Sequence, residues 1–282
     1  MARKGGPVTV CVINLKGGVG KSTIAALLAR HAYRTHDLDV LAIDLDPQAN
    51  LSQGLMHSDY SEFLKQQRPS IVEIFSGYIP PTAKVSTPKP LLPNPAFEII
   101  AQAGTKSLQL IPSRFDFSDN LLGAVRPDPQ TLARYLSANF QHKDLIIIDC
   151  SPTESILTTA AYHASGMVLV PVKPEYFATI GFPLLQQSLD NFRNRNRAHH
   201  ITVVGVVVNN AFYDGGNNGG PEKTRAIREI RAEAKKNGWP IYPREIYHSR
   251  GFPKIMRGDY SYPGNAAYFY TFANEFFKSV GL

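Results

Sequence analysis

Cysteine is nearly missing from this chain: Cys11 and Cys150 are the two among 282 residues, and each stands inside or beside an apolar run. That excludes a disulfide framework and a four-thiolate metal site within one chain. Their placement also argues against an iron–sulfur cluster shared between two chains, which needs two suitably placed thiolates from each. Both are expected to be packing residues. Also missing is any apolar run near the roughly 20 residues of a membrane span. The opening "MARKGGPVTVCVIN" lacks the apolar region and small-residue cleavage site of a secretory signal, so a cytosolic protein is expected. No long polar or low-complexity tract and no internal repeat divides the chain. With 43% apolar residues it can bury a full core, and 1–282 reads as a single domain.

Acidic residues are the scarcer sign of charge, 23 against 30 lysines and arginines. The excess is uneven. Arg193, Arg195 and Arg197 fall in "NFRNRNRAHH", and "EKTRAIREIRAEAKKNG" carries Lys223, Arg225, Arg228, Arg231, Lys235 and Lys236, so the last third is basic.

Short β-branched apolar runs recur at 8–14, 39–44, 108–112, 144–149, 167–172 and 201–209. They read as buried parallel strands. Helical patterns lie between most of them, as in "STIAALLARHAYRTH" (22–36), with Ile24, Leu27, Leu28 and His31 on one face, and "TLARYLSANF" (131–140). The alternation predicts an α/β fold, a doubly wound and mostly parallel sheet with helices on both faces. Residues 56–106, with six prolines between Pro80 and Pro95, break the rhythm and are expected to form short helices and an irregular excursion.

Between the first strand and the first helix stands "INLKGGVGKST", which fits the phosphate-loop pattern G-x-x-x-x-G-K-[ST] except that Leu15 replaces its first glycine. Gly17, Gly18 and Gly20, with Val19 between them, let backbone N–H groups turn inward around phosphate oxygens, and the helix N-terminus adds its dipole. Lys21 then reaches the β- and γ-phosphates, the Ser22 hydroxyl holds Mg²⁺, and Thr23 contacts the α-phosphate region. Two further strands end in aspartate. "VLAIDLDPQAN" places Asp44 at a strand end and Asp46 two residues on, and "LIIIDCSP" ends its strand at Asp149. In a doubly wound sheet ligands bind at these strand ends, although an aspartate there can also serve as a helix or turn cap.

The segments K-G-G-V-G-K-S-T, D-L-D-P-Q-A-N and I-I-D-C-S-P together resemble the deviant Walker A, Walker A′ and Walker B motifs of the ParA and MinD partition ATPases. The similarity reaches more weakly to "YPREIYHSRGFPKI" in the last third. Ser151, where many members have proline, and the proline-rich stretch depart from the pattern. The resemblance implies a P-loop NTPase using ATP and Mg²⁺, and it accounts for Lys16, the second lysine of the loop. In this family the equivalent lysine crosses a two-fold interface to the partner's nucleotide, so that two ATP molecules lie sandwiched in a homodimer. Charge agrees, because a second ammonium beside Lys21 needs further negative charge to meet it. By the same resemblance Asp46 acts on the attacking water, Asp149 supports Mg²⁺ through water, and Asp44 stands behind it. Asn209 and the backbone at Pro243 and Arg244 fall where the family contacts adenine; Asn209 could equally be an ordinary strand-ending turn residue.

What the ATP switch controls is read from charge. Arg228, Arg231 and Lys235 share one helical face, and Arg244, Arg250, Lys254 and Arg257 follow. A basic face that reads no base suits non-specific double-stranded DNA, although Glu222, Glu229 and Glu233 lie within reach and could lace the helix into a merely solvated one. With the resemblance, the expectation is a ParA-like ATPase of the nucleoid that segregates or positions a cargo and answers to an ATPase-stimulating partner, either ParB-like or a cargo adaptor. A MinD-like membrane-surface switch is the alternative. It needs a basic amphipathic C-terminal helix, but "AAYFYTFANEFFKSVGL" has Lys278 as its one cation and is expected to pack on the core instead. A metabolic enzyme on this loop, such as an iron–sulfur reductase or an ATP-dependent ligase, is a third class, and the cysteine placement argues against the reductase.

Overall fold

A computed structural model describes residues 6–77, 94–101, 106–117, 128–175, 178–209, 220–261 and 266–282. Its elements run β1 (Val8–Val12), α1 (Lys21–His36), β2 (Val40–Asp44), α2 (Asn50–Met56), α3 (Asp59–Lys65), α4 (Ile71–Gly77), β3 (Phe97–Ala101) and β4 (Ser107–Ile111). They continue with α5 (Thr131–Asn139), β5 (Leu145–Asp149), α6 (Ile156–Ala164), β6 (Met167–Val172), α7 (Gly181–Arg195), β7 (Thr202–Val208), α8 (Gly220–Lys236), α9 (Phe252–Met256) and α10 (Ala266–Ser279).

The strands form one sheet in the order β3-β4-β2-β5-β1-β6-β7. Six of them are parallel, and β3 pairs antiparallel with β4 at the edge. Strand β1 is central, with β5 on one side and β6 on the other. The chain therefore leaves β1 towards one half of the sheet and returns past it to build the other. That reversal opens a crevice at the carboxyl ends of the strands.

Side chains alternate across each strand, so the sheet separates two cores. Cys11, Ile43, Ile146, Ile148 and Val170 face one side and pack with α5, α6, α7 and part of α8. Val10, Val12, Val40, Ala42 and Ile147 face the other and pack with α1, α2 and α10. Both cysteines are buried and free, as packing residues should be. Helix α1 is enclosed nearly all round, from Ile24 to Tyr33, because its small Ala25, Ala26, Ala29 and Ala32 let neighbours approach closely. In α10, Phe269, Phe272, Phe276 and Phe277 are all buried, so its apolar side is spent on the core as the sequence predicts. Among the described residues no helix is long and apolar enough to cross a membrane.

The expected irregular excursion is partly wrong. Within 56–106 the short helices are present, but Phe97–Ala101 is an edge strand. "FEIIA" is only half-buried and its register slips between Glu98 and Ile100, which leaves too weak an alternation to read from sequence. Most of the proline-rich stretch, residues 78–93, lies outside the described residues.

At the amino ends of the strands a buried ion pair ties three of them together. Lys143 Nζ lies 2.7 Å from Asp39 Oδ1 and 3.0 Å from Ser107 Oγ, and Asp39 Oδ1 also accepts the Ser107 N–H and hydroxyl at 3.0 Å. The starts of β2, β4 and β5 meet there. Breaking a buried pair strands the remaining charge, so Lys143→Met is expected to cost about 3 kcal/mol or more in denaturant unfolding. Lys143→Met with Asp39→Asn should recover part of that loss, since no unpaired ion is then left.

Candidate nucleotide site and basic face

The loop after β1 is held from three directions. Asn14 Nδ2 donates to the Pro171 carbonyl at 2.8 Å, and Asn14 Oδ1 accepts the Lys16 N–H at 2.9 Å. The end of β6 thus fixes where the loop begins. Asn209, buried at the end of β7, donates from Nδ2 to the Val19 carbonyl at 2.8 Å and fixes where it ends. Gly20 then turns into α1 with φ 88°. A Cβ there would sit 2.1 Å from Asn209 Nδ2, so glycine is needed for space as well as for conformation. Gly17 and Gly18 are exposed, and a Cβ on either would meet nothing within 4 Å, which leaves their side of the loop open to a ligand.

Lys21 opens α1 and is buried, with Nζ 3.3 Å from the Lys16 carbonyl. Burial lowers its pKa, while Asp149 and Asp46 pull it back up. Ser22 and Thr23 are half-buried beside it. The aspartates of β2 and β5 are register partners across the ladder, Asp44 opposite Asp149, so two carboxyls sit about one strand spacing, ~4.8 Å, apart at the backbone. Their environments differ. Asp44 Oδ2 accepts the Ser52 N–H at 2.8 Å and hydroxyl at 2.7 Å, and Oδ1 accepts the Asp46 N–H at 3.0 Å. Burial still pushes it up to about 7. Asp149 is fully buried, and neither of its oxygens makes a hydrogen bond of normal geometry. Burial, then the Asp44 charge, raise it well above the carboxylate range, against the Ser22 hydroxyl and Lys21.

Asp44 therefore shapes its loop: it holds the start of α2 and the N–H of Asp46, and both oxygens are committed. Asp46 is buried with them, and its Oδ1 accepts the Gln48 N–H at 2.9 Å. Among the described residues no group of three or more His, Cys, Asp and Glu is placed to hold a metal by itself. This suits Mg²⁺, which is bound by one or two protein groups together with phosphates. The unpartnered Asp149 and the Ser22 hydroxyl are the groups here that fit such a shared ion.

Lys16 is turned away from Lys21. Its Nζ lies 2.9 Å from Glu175 Oε1, and Lys173 Nζ lies 2.9 Å from Glu175 Oε2. The sequence reading missed Glu175, though "VKPE" directly follows the strand at 167–172 and belongs to the same carboxyl edge. It also missed Asn14 and Ser52, whose roles depend on partners 157 and eight residues away.

In the last third the predicted basic residues are exposed: Arg228, Arg231, Lys235, Arg244, Arg250, Lys254 and Arg257. Two of the acids that might have neutralised this face of α8 pair with other bases of the helix, Glu229 with Arg225 at 2.9 Å and Glu233 with Lys236 at 3.1 Å. Arg228, Arg231 and Lys235 make no ion pair among the described residues. Arg228 and Arg231 line an open groove of about 450 Å³ with Lys223, Thr224, Glu245 and Tyr247. Arg257 is separate, donating to His57 Nε2 at 3.0 Å. Pro243 is exposed on the segment between α8 and α9.

Strand, phosphate loop, enclosed helix and two strand-end aspartates in one doubly wound sheet define the P-loop NTPase fold. The family model described as an AAA domain matches residues 8–202. An uncharacterized protein of Mycobacterium tuberculosis is 30% identical over 210 residues, 72% of this chain and 58% of its own length. The chromosome partitioning protein ParA of Myxococcus xanthus is 30% identical over 186 residues, 64% of this chain and 57% of that one. The chain thus spans little more than half the length of these relatives. Among solved structures, an ATP complex of a Cyanothece McdA variant superposes with a TM-score of 0.76 over 98% of this chain and 97% of that one, at 19% identity. The chain belongs to the ParA family of P-loop ATPases.

Asp149 provides a test with a sign. A buried carboxyl whose folded pKa exceeds its unfolded value costs stability once the pH passes the unfolded value near 4, in full above the folded one. At pH 8, Asp149→Asn is therefore expected to raise the unfolding free energy by about 1 kcal/mol or more in nucleotide-free protein, while losing the further thermal stabilisation that Mg²⁺ adds to ATP. Gly20→Ala should abolish binding in a fluorescent-nucleotide titration. Adding Asn209→Gly, which removes the clash but not the left-handed backbone requirement, should restore it in part.

Proposed function

We propose that this chain is an ATP-dependent dimerising switch that binds double-stranded DNA without sequence preference and releases it after hydrolysis, thereby segregating or positioning a cargo on the nucleoid. The observation that carries the reading is the division of labour between the two loop lysines. Lys21 lies buried at the start of α1, as suits a phosphate-loop lysine that serves its own nucleotide, and Lys16 is 27% exposed and paired with an acid that another anion could replace.

In this reading the open backbone of Gly17, Gly18, Val19 and Gly20 cradles the phosphates, with Lys21 on the β- and γ-oxygens and Thr23 near the α-phosphate. Ser22 and, through water, Asp149 hold Mg²⁺, which neutralises charge between the phosphates when bound. Asp46, fixed by Asp44, orients the attacking water. Lys16 of each protomer meets the nucleotide of the other, a trans-acting cation like an arginine finger. Asn209 braces the loop from behind and reaches the base only if its carbonyl oxygen turns to it; Pro243 and Arg244 would line the base by backbone. Arg228, Arg231 and Lys235, with Arg244, Arg250, Lys254 and Arg257, supply phosphate contacts, and pairing two such faces multiplies their effective affinity. A partner protein that stimulates hydrolysis acts at the dimer edge.

Lys16→Ala should leave monomer affinity for nucleotide within about three-fold, because Lys21 and the loop remain. It should remove the dimer seen by sedimentation with a slowly hydrolysed ATP analogue; a dimer as stable as that of the unmodified protein overturns the sandwich. A variant with Arg228→Glu, Arg231→Glu and Arg250→Glu should still dimerise but lose at least about ten-fold in affinity for random-sequence duplex, with a smaller salt dependence. Recruitment by anionic lipid vesicles instead of DNA would favour the membrane-surface alternative.

A further inference from the structure

Lys16, Glu175 and Lys173 form a three-membered charge cluster at the rim of the loop, with one carboxylate shared between two ammonium groups. Glu175 sits between the end of β6 and the start of α7, and both ends of that connection are fixed against the loop. Pro171 accepts from Asn14, and a Cβ on Gly181 would lie 2.8 Å from Asn14 Oδ1 and 3.7 Å from the Lys16 nitrogen. The carboxylate is thus held where the Lys16 side chain leaves the loop. Its two oxygens bonded to two ammonium groups mimic a phosphate, the anion Lys16 is proposed to meet in trans. The two lysines also hold Glu175 below the usual carboxylate range, so it stays ionised well into the acid region. Beside the cluster, Ile180 and Leu184, one helical turn apart, are 56% and 53% exposed, an apolar pair suited to being covered by a second copy of this chain.

We propose that Glu175 is a positioning residue that captures Lys16 within its own chain and must release it before Lys16 can reach the partner's nucleotide, so that the ion pair sets the threshold for dimerisation. Lys173 is part of the device. By sharing the carboxylate it weakens the hold on Lys16, and it keeps Glu175 paired after Lys16 leaves, which avoids stranding a charge under the interface. This inference rests on the trans role of Lys16 proposed above.

The two flanking residues make predictions of opposite sign. Glu175→Gln frees Lys16 and should tighten the ATP-analogue dimer about five- to thirty-fold, since an isologous dimer releases two such partly exposed pairs at once. Lys173→Gln leaves Glu175 undivided for Lys16 and should weaken the dimer several-fold. Sedimentation equilibrium with the analogue measures both, with monomer nucleotide affinity as the control for folding. In steady-state hydrolysis the protein concentration giving half-maximal rate should shift in the same two directions, while the plateau rate per dimer stays put; a merely structural role would not split these quantities. A Glu175→Gln dimer no tighter than that of the unmodified protein, or a Lys173→Gln dimer equal or tighter, overturns the capture. If Lys16→Ala still abolishes the dimer in that case, the sandwich stands without it; if Lys16→Ala dimerises normally, both readings fall.

Discussion

The structure depends on concentrating charge in a place that water does not reach. At the carboxyl edge of the sheet, Lys21, Asp44, Asp46 and Asp149 are buried together, three acids to one base. Such a cluster is unfavourable by itself, because burial disfavours every ion in it and the acids repel one another. It is tolerated since the two halves of the doubly wound sheet are closed elsewhere by large apolar cores, and since most of its members have defined partners. Asp44 is saturated by Ser52 and the Asp46 N–H; Lys21 leans on a backbone carbonyl and two acids. Asp149 is the least satisfied member: neither oxygen makes a hydrogen bond of normal geometry among the described residues, and only the Ser22 hydroxyl and Lys21 favour its charge.

Around that cluster the surrounding elements serve to hold a loop in a shape that backbone alone would not keep. Asn14 and Asn209 come from the ends of β1 and β7 and clamp the loop between β6 and its own C-terminal turn. The clamp leaves one edge open, the side of Gly17 and Gly18. The loop runs directly into α1, and α1 carries Arg30, which donates to the Leu55 carbonyl of α2 and to that of Met256 in α9. The basic segment that contains Lys254 and Arg257 is packed on the same helix that begins at the end of the loop. A displacement of the loop therefore has a packed route, through α1 and Arg30, to a surface some distance away.

Charge on the surface is arranged with similar economy. On α8, Glu229 and Glu233 pair within the helix and leave Arg228, Arg231 and Lys235 with no ion pair among the described residues, and at the rim of the loop Glu175 answers two lysines. Both are partly exposed and hence weak in isolation. Weak pairs of this kind are suited to being exchanged for a stronger anion, and a polyphosphate or a duplex backbone is one.

The sequence by itself determined the sheet, because β-branched runs separated by helical periodicity have few other ways to bury their backbones, and it determined the loop, because K-G-G-V-G-K-S-T between strand and helix has a local meaning. It also determined that α10 packs inward, from the lack of flanking cations. Tertiary structure decided what local pattern could not carry. Strand β3 exists through pairing with β4 despite a slipped, half-exposed alternation. The different fates of Asp44 and Asp149, identical as strand-ending aspartates in sequence, follow from Ser52 donating twice to one while the other has only the Ser22 hydroxyl and the Lys21 charge in its favour. The partner of Lys16 is Glu175, 159 positions on, brought beside it because β1 and β6 are neighbours in the sheet. In each case the deciding quantity is which polar group arrives from a distant strand end, and chain topology sets that while periodicity and spacing do not.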